Sequence, residues 1–178
     1  VNMQQVEFFL HLTNDAWCRD HGPAFLINPN KKSLPADRQE KAIVDWNYNA
    51  WGNKSPPYNL DDVIPTLIAE HFNLPVFHPN FVMEGGSVEF NGAGTLLTSK
   101  SCLLNPNRNP QLNQQQIENY LREYYGVEQI LWIDEGIEGD DTDGHIDDTV
   151  RFVNEDTVLT VVEKNKNYRT FVNNHKIK

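Results

Sequence analysis

The chain is poor in cysteine, with only Cys18 and Cys102 among its 178 residues. Two cysteines are too few for a disulfide scaffold, and neither belongs to a CxxC pair. We therefore expect reduced thiols and a cytoplasmic protein. The sequence also lacks a P-loop, a dinucleotide-binding glycine fingerprint, a zinc-ligand spacing and a GxSxG elbow. No cofactor and no metal are expected.

Long apolar runs and positive charge are also scarce. No run approaches the roughly 18 apolar residues that a membrane span requires, so a membrane protein is not expected. The net charge is −10, from 25 acidic and 15 basic residues, which disfavours nucleic acid and anionic lipid and favours cationic ligands. No targeting peptide is visible, and because the chain begins at Val1 we expect both ends to continue in a longer polypeptide.

A chain of this length is typical of one domain, so we treat 1–178 as a single α/β domain. The clearest helix follows Asn113, whose capping box with Gln116 precedes an apolar stripe, and it ends near Gly126. A second helix is predicted to be capped by Asn59, and 31–41 is predicted to be a polar loop or a short helix. The predicted strands are 24–28, 75–78, 87–90 paired with 95–98, 129–133, and 150–153 paired with 157–162.

Three acidic clusters next to glycine are the most informative motifs. They are 17–23 around Asp20, 84–87 beginning at Glu84, and 143–148 around His145. Their spacing of about sixty residues matches the size of a repeated supersecondary unit. Both halves of the sequence also run helix, strand, acidic glycine turn and hairpin. We expect a repeated α/β module whose turns build one carboxylate-lined pocket; the alternative is coincidence within an α+β domain.

His145 and Asp147 are two residues apart, so on a strand their side chains would share one face, where the carboxylate would raise the pKa of the imidazole. Such a pair suits a general acid and base, but a solvent-exposed His–Asp pair is equally compatible with the spacing. The aspartates around Gly144 do not fit an EF-hand, because its first and last positions would be Gly139 and Val150.

Two further side chains are candidates for binding a flat cation. Trp17 lies three residues before Asp20, and an aromatic face beside a carboxylate can hold a guanidinium; alternatively, Trp17 is core and Asp20 pairs with Arg19. Glu84 precedes Gly85 and Gly86, so a tight turn without Cβ atoms could present its carboxylate, or could be merely a turn. Cys102 lies among aliphatic residues and is expected to be buried.

These clusters lie within longer segments that resemble one known family. The segments are Asn14-Asp15-Ala16-Trp17 with Arg19-Asp20 and Gly22-Pro23, Asn49-Ala50-Trp51-Gly52, Met83-Glu84-Gly85-Gly86-Ser87, 102–110 and Asp143-Gly144-His145-Ile146-Asp147. Through them the whole chain resembles the central portion of the agmatine deiminases, a branch of the guanidino-group modifying superfamily that includes the bacterial-type peptidylarginine deiminases.

The resemblance implies the pentein fold, an α/β propeller of five modules around a pseudo-symmetry axis. Residues 1–178 would form a partial ring of ββαβ-like modules. It also implies site roles: Asp20 and Asp147 grip the guanidinium, His145 is the general acid and base, and Glu84 is a further acidic residue. Trp17 would form a wall of the pocket.

The family's nucleophile is a cysteine in a glycine-rich segment near the C-terminus, and neither Cys18 nor Cys102 has that context. A first module before Val1 is also expected to be missing, so this chain alone is expected to be inactive. The stretch 46–54 lacks arginines for a peptide-arginine carboxylate, and a free Glu84 suits a distal ammonium. Agmatine is therefore favoured, with N-carbamoylputrescine and ammonia as products, a step toward putrescine.

Several interpretations stay open beside this deiminase. They are a peptidylarginine deiminase, a metal-dependent hydrolase using Glu84, His145 and Asp147, and an inactive cation-binding remnant. A partial ring would expose module faces, so self-association of the chain is expected, and homo-oligomerisation of the full protein is left open.

Overall fold

The computed structural model describes residues 2–28 and 40–162. These ranges form a mixed α/β structure with small sheets. Within them no helix is both long enough and apolar enough to cross a bilayer. The α-helices of the described ranges are α1 (Cys18–His21), α2 (Ala50–Asn53), α3 (Ile64–Phe72), α4 (Lys100–Leu103) and α5 (Gln114–Tyr125).

The first sheet contains three strands, β1 (Ala24–Ile27), β2 (Lys41–Val44) and β3 (Val76–Phe77), in that order. Strand β1 is antiparallel to β2, and β3 is parallel to β2 after the crossover through α3. Strand β2 was not predicted, although Ile43 and Val44 are fully buried. The prediction for 31–41 lies almost entirely outside the described residues.

The second sheet repeats this arrangement with β4 (Val88–Phe90), β5 (Thr95–Ser99) and β6 (Gln129–Ile133). Strands β4 and β5 are antiparallel, and β6 is parallel to β5 after the crossover through α5. The hairpin of β7 (Val150–Phe152) and β8 (Val158–Thr160) follows. The predicted repetition of a ββαβ-like unit is therefore confirmed within these residues.

Helix α5 forms as its sequence predicts. The Asn113 side chain accepts from the Gln116 backbone N–H at 3.0 Å, and the Gln116 side chain accepts from the Asn113 N–H at 2.9 Å. Gly126 ends the helix in the left-handed region at φ 64°. Ile117 and Leu121 are buried in the main core, and each such burial contributes about 1.5–3 kcal/mol.

Helix α3 begins later than predicted. Its N-cap is Val63 and not Asn59, and Pro65 lies in the first turn, where its fixed φ is compatible with a helix. The preceding carboxylates bond to other segments: Asp61 accepts from the Asn14 N–H at 2.7 Å and Asp62 from the Tyr48 N–H at 2.6 Å. These long-range bonds hold 61–62 as a turn outside the helix.

Three short turns explain the sixty-residue spacing of the acidic clusters. Helix α1 precedes β1, a 3-10 turn at Gly85–Ser87 precedes β4, and a second 3-10 turn at Ile146–Asp148 precedes β7. Each turn therefore occupies the same place in its unit, before the first strand. The turn at 85–87 contacts both of the others, so the three clusters meet in space.

Candidate active site

A cavity of about 440 Å³ opens where these turns meet. Its walls include aromatic, acidic and imidazole side chains: Asp15, Trp17, Arg19, Asp20, Trp51, Ser55, Asp141, Thr142, His145, Asp147 and Asp148. The Trp17 side chain is 62% exposed, so it is not a core residue and offers its ring to the cavity. Four residues predicted to form a site, Trp17, Asp20, His145 and Asp147, thus line one cavity.

His145 lies between two carboxylates at the back of the cavity. Its Nδ1 is 3.7 Å from Oδ1 of Asp20, and its Nε2 is 3.6 Å from Oε2 of Glu84. The residue is only 3% exposed. Burial alone would lower the pKa of the imidazole, but Glu84 and Asp20 outweigh burial and raise it. The site therefore favours a protonated imidazole, the form that can donate a proton.

Asp20 is held by two donors. The backbone N–H of Gly86 donates to Oδ1 at 2.9 Å, and the indole N–H of Trp51 donates to Oδ2 at 3.1 Å. Burial raises the pKa of the carboxyl, opposed by His145 and these two hydrogen bonds. The alternative pairing of Asp20 with Arg19 is not observed, because Arg19 pairs with Asp147. Asp20 can therefore face a cation from the cavity.

Gly86 allows this close arrangement. A Cβ at this position would collide with Nδ1 of His145 and Oδ1 of Asp20. The double-glycine turn therefore serves the site through close approach, which only a residue without a side chain permits.

Trp51 reaches Asp20 from a strained backbone. Its φ of 56° lies in the left-handed region, which a bulky residue rarely adopts. The Asn49 side chain accepts from the Gly52 N–H at 2.9 Å and so supports this turn. Strain of this kind clusters at functional sites.

Asp147 does not share a strand face with His145, and that prediction was wrong. Residues 146–148 form a 3-10 turn that precedes β7. The alternation of side chains along a strand therefore does not apply to this pair. The Oδ2 atom of Asp147 accepts from Nε of Arg19 at 2.8 Å. Asp147 still lines the cavity, so its carboxylate lies beside both a protein guanidinium and the open space.

Glu84 lies behind His145 and outside the cavity wall. It is fully buried, and Nε of Arg108 donates to both of its oxygens, at 3.0 and 2.8 Å. Burial would raise the pKa of Glu84, but His145 and Arg108 lower it. The expectation of a free Glu84 for a distal ammonium was therefore wrong, because Arg108 already neutralises this carboxylate.

The loop before His145 is ordered by Asp140. Its carboxylate accepts from the backbone N–H groups of Thr142 and Gly144, at 2.9 and 2.8 Å. Burial opposes the charge, but these hydrogen bonds lower the pKa of Asp140. Of the three aspartates in this loop, Asp140, Asp141 and Asp143, the first therefore shapes the loop.

Glu84, Cys102 and His145 are one group with the spacing of metal ligands, since their ligand atoms lie within 4.8 Å of one another. This set differs from the predicted one, which contained Asp147. The Arg108 guanidinium on Glu84 opposes a second cation there, so the residues do not fit a metal site.

Neither cysteine is placed as an activated nucleophile. Cys102 is fully buried, as expected, and burial followed by Glu84 raises its thiol pKa well above the ordinary value. Cys18 is an exposed free thiol and is absent from the cavity wall.

A family model described as Porphyromonas-type peptidyl-arginine deiminase matches residues 1–178. The chain belongs to this deiminase family. A curated relative from Legionella pneumophila is 45% identical over 167 residues, which cover 92% of this chain and 46% of the relative. An agmatine deiminase of Pseudomonas syringae pv. tomato is 41% identical over 164 residues, covering 89% and 42%.

Solved structures agree with this assignment. The agmatine deiminase of Enterococcus faecalis matches with a TM-score of 0.78 and 38% identity, over 88% of this chain and 42% of that one. A Campylobacter jejuni agmatine deiminase solved with substrate bound also has a TM-score of 0.78 and 38% identity, over 94% and 49%. This deiminase-family chain therefore spans less than half the length of each of these relatives.

Other side chains of the site were not singled out from the sequence. They are Asp15, Arg19 as the partner of Asp147, Trp51, Arg108, Asp141 and Asp148. Asp15, Arg19, Trp51 and Arg108 lie in segments that carry the resemblance to the deiminase family, which was the available signal. Their roles depend on contacts between distant parts of the chain.

Proposed function

We propose that this chain supplies the substrate-binding wall and the proton-transfer residue of an agmatine deiminase. The reaction is hydrolysis of agmatine to N-carbamoylputrescine and ammonia, a step toward putrescine. The observation that carries the proposal is the convergence of Trp17, Asp20 and Asp147 on one cavity with a buried His145 at its back. The similarity to agmatine deiminases in sequence and structure supports it.

In this proposal the cavity binds the planar guanidinium of agmatine. Asp20 and Asp147 face it, and charge-assisted hydrogen bonds from a guanidinium to carboxylates are strong and directional. Asp147 brings one oxygen already occupied by Arg19, so the substrate would approach the rest of the carboxylate. The Trp17 ring offers a stacking surface.

A cysteine thiolate then attacks the guanidinium carbon. His145, favoured in its protonated form, donates a proton to the departing nitrogen, which leaves as ammonia. The resulting amidino-thioether is attacked by water that gives its proton to His145, and the thiolate is released. Because Cys18 and Cys102 do not fit the role, we propose that the nucleophile comes from a part of the full-length protein outside 1–178.

Charges around the cavity favour agmatine over a substrate with a carboxylate. Beyond Asp20 and Asp147, the lining contains Asp15, Asp141 and Asp148. These three groups, in place of Glu84, suit the distal ammonium of agmatine. The basic lining residue, Arg19, is already paired with Asp147.

The finer fold assignment also belongs to this proposal. The repeated units and the three meeting turns support a partial pentein ring. We place the enzyme in the cytoplasm, in keeping with two free cysteines.

Ammonia release by the full-length protein tests the proposal. We expect turnover of agmatine to exceed that of a peptidyl-arginine substrate, and to persist after treatment with a chelator. Preference for peptidyl-arginine would assign the alternative deiminase activity, loss on chelation would favour a metal hydrolase, and absence of turnover with both substrates would favour a cation-binding remnant.

A further inference from the structure

Arg108 is an unusually buried cation. Its side chain is fully excluded from solvent and contacts Glu84 in one segment and the adjacent Thr142 and Asp143 in another. Its Nε donates to Glu84, its Nη1 to Asp143 at 2.7 Å, and its Nη2 to the carbonyl of Thr142 at 2.7 Å. An arginine deprived of solvent is held only where such contacts replace its hydration.

These contacts join two parts of the site. Glu84 directly precedes the Gly85–Ser87 turn, whereas Thr142 and Asp143 directly precede Gly144 and His145. Arg108 therefore bridges the carboxylate beneath His145 to the loop that carries His145. A planar guanidinium can bind all three at once, because its five donors lie in one rigid fork.

The surrounding bonds make this bridge rigid. Asp143 also accepts from Nδ2 of Asn107 at 2.9 Å and pairs with Lys54. Nη1 of Arg108 donates to Oδ1 of Asn107 at 2.9 Å. The loop has little freedom to move unless these bonds break.

Arg108 does not reach the substrate cavity, whose wall excludes both Arg108 and Glu84. Its influence on a reaction must pass through other residues. It is therefore distinct from the residues that would touch agmatine.

We propose that Arg108 is the positioning residue of the site, fixing Glu84 beneath His145 and locking the 142–145 loop so that the imidazole faces the cavity. The inference rests on the proposed deiminase function for its catalytic consequence. It extends that function by assigning to Arg108 the positioning of His145, the proton-transfer residue.

Loss of the positive charge of Arg108 should change the titration of the site in a measurable way. The titratable and charged groups around His145 and Arg108 are Asp20, Lys54, Glu84, Cys102, Asp140, Asp143, Asp147 and Asp148. Removing a cation from this acidic surrounding raises the affinity of the His145–Glu84 pair for protons. A loss of stability by itself, with the positive charge beside Glu84 retained, would not produce that change.

The test compares Arg108→Lys and Arg108→Met in the full-length protein. Lysine keeps the charge but cannot bind three partners in a fork, so we expect kcat to fall about 10- to 100-fold with KM for agmatine and the pH profile little changed. For Arg108→Met we expect both limbs of the pH–rate profile to move to higher pH, by about one unit. Arg122→Lys and Arg122→Met are the controls, because Arg122 forms a surface pair with Glu118.

NMR titration of the His145 ring, assigned with His145→Gln, separates this proposal from the proposed function. If the wild type does not release ammonia from agmatine, the function fails, while an upward shift of the His145 titration in Arg108→Met would still support the bridge. Wild-type kcat in Arg108→Lys would overturn the proposal, and so would an unshifted His145 titration in a folded Arg108→Met. If Arg108→Met does not fold, the kcat of Arg108→Lys decides.

Discussion

At the residue scale, Asp20 combines burial, two fixed donors and access to the cavity. Asp20→Asn preserves its size but removes the charge proposed to bind the guanidinium. We expect kcat/KM for agmatine to fall by roughly 100-fold or more, measured as ammonia release. Glu123→Gln, at an exposed position on α5, is the matched control, and unchanged turnover in Asp20→Asn would refute the role.

His145 should also give a pH-dependent contribution to stability. Its folded pKa is raised above the ordinary 6.5, so its contribution is fully present below 6.5 and is lost as pH rises through the folded pKa. The free energy of unfolding of the wild type should therefore exceed that of His145→Gln by more at about pH 6 than at about pH 9. Denaturant unfolding of the full-length protein at both pH values measures this, and an equal difference would contradict it.

Residues of the site could be predicted from the sequence where a single local motif contained the reactive or charged side chains. Trp17, Asp20, His145 and Asp147 were located in this way, and they line one cavity. Arg108 was not singled out, because its role depends on contacts with carboxylates 24 and 35 positions away in the chain. The roles of all these residues in a reaction stay predictions.

At the element scale, the turn at Gly85–Ser87 holds the site together through Gly86. Gly86→Ala would push a methyl group against His145 and Asp20, and we expect activity to fall about 100-fold as both groups are displaced. Gly92→Ala is the control, because a Cβ there meets nothing, although its positive φ lowers stability. Wild-type ammonia release by Gly86→Ala would contradict this prediction, because the turn would then accommodate the methyl group without loss of activity.

Helix α5 offers the opposite case, an element that affects stability and not the site. Asn113→Ala removes the capping box and should destabilise the protein by about 1 kcal/mol, with ammonia release per folded molecule unchanged. Asn119→Ala, at an exposed position within the same helix, should be nearly neutral. Thermal unfolding checks both, and a loss of activity in Asn113→Ala without unfolding would contradict this division.

Elements were predictable where local chemistry determined them. Helix α5 and the β4–β5 hairpin have strong local signals, and both are present. The start of α3 and the turn at 146–148 were predicted incorrectly, because long-range contacts decide them. Asp61 and Asp62 bond to the Asn14 and Tyr48 backbones, and no local pattern contains those partners.

At the scale of the whole molecule, an extended apolar segment lies on the surface. Phe8, Leu10 and Leu12 are 75%, 99% and 80% exposed. We expect the 178-residue chain to self-associate in solution, because contiguous exposed apolar side chains promote association. Replacing all three with serine should reduce the mass measured by light scattering, and a monomeric unmodified chain would refute the prediction.

The repeated architecture was visible in the sequence as a spacing of three clusters. The reason for the spacing became clear only in three dimensions, since each cluster precedes the first strand of its unit. The sequence pattern indicates the interval between the acidic clusters, but whether the turns meet depends on how the units pack. The single-domain assignment of 1–178 and the oligomeric state stay predictions.

Because one turn from each unit surrounds a common centre, the cavity exists only while the units stay packed together. No unit contains the cavity by itself, so a slight separation of neighbouring units would dismantle it while every helix and strand persisted. Mild denaturation should consequently abolish ligand binding before circular dichroism reports any loss of secondary structure.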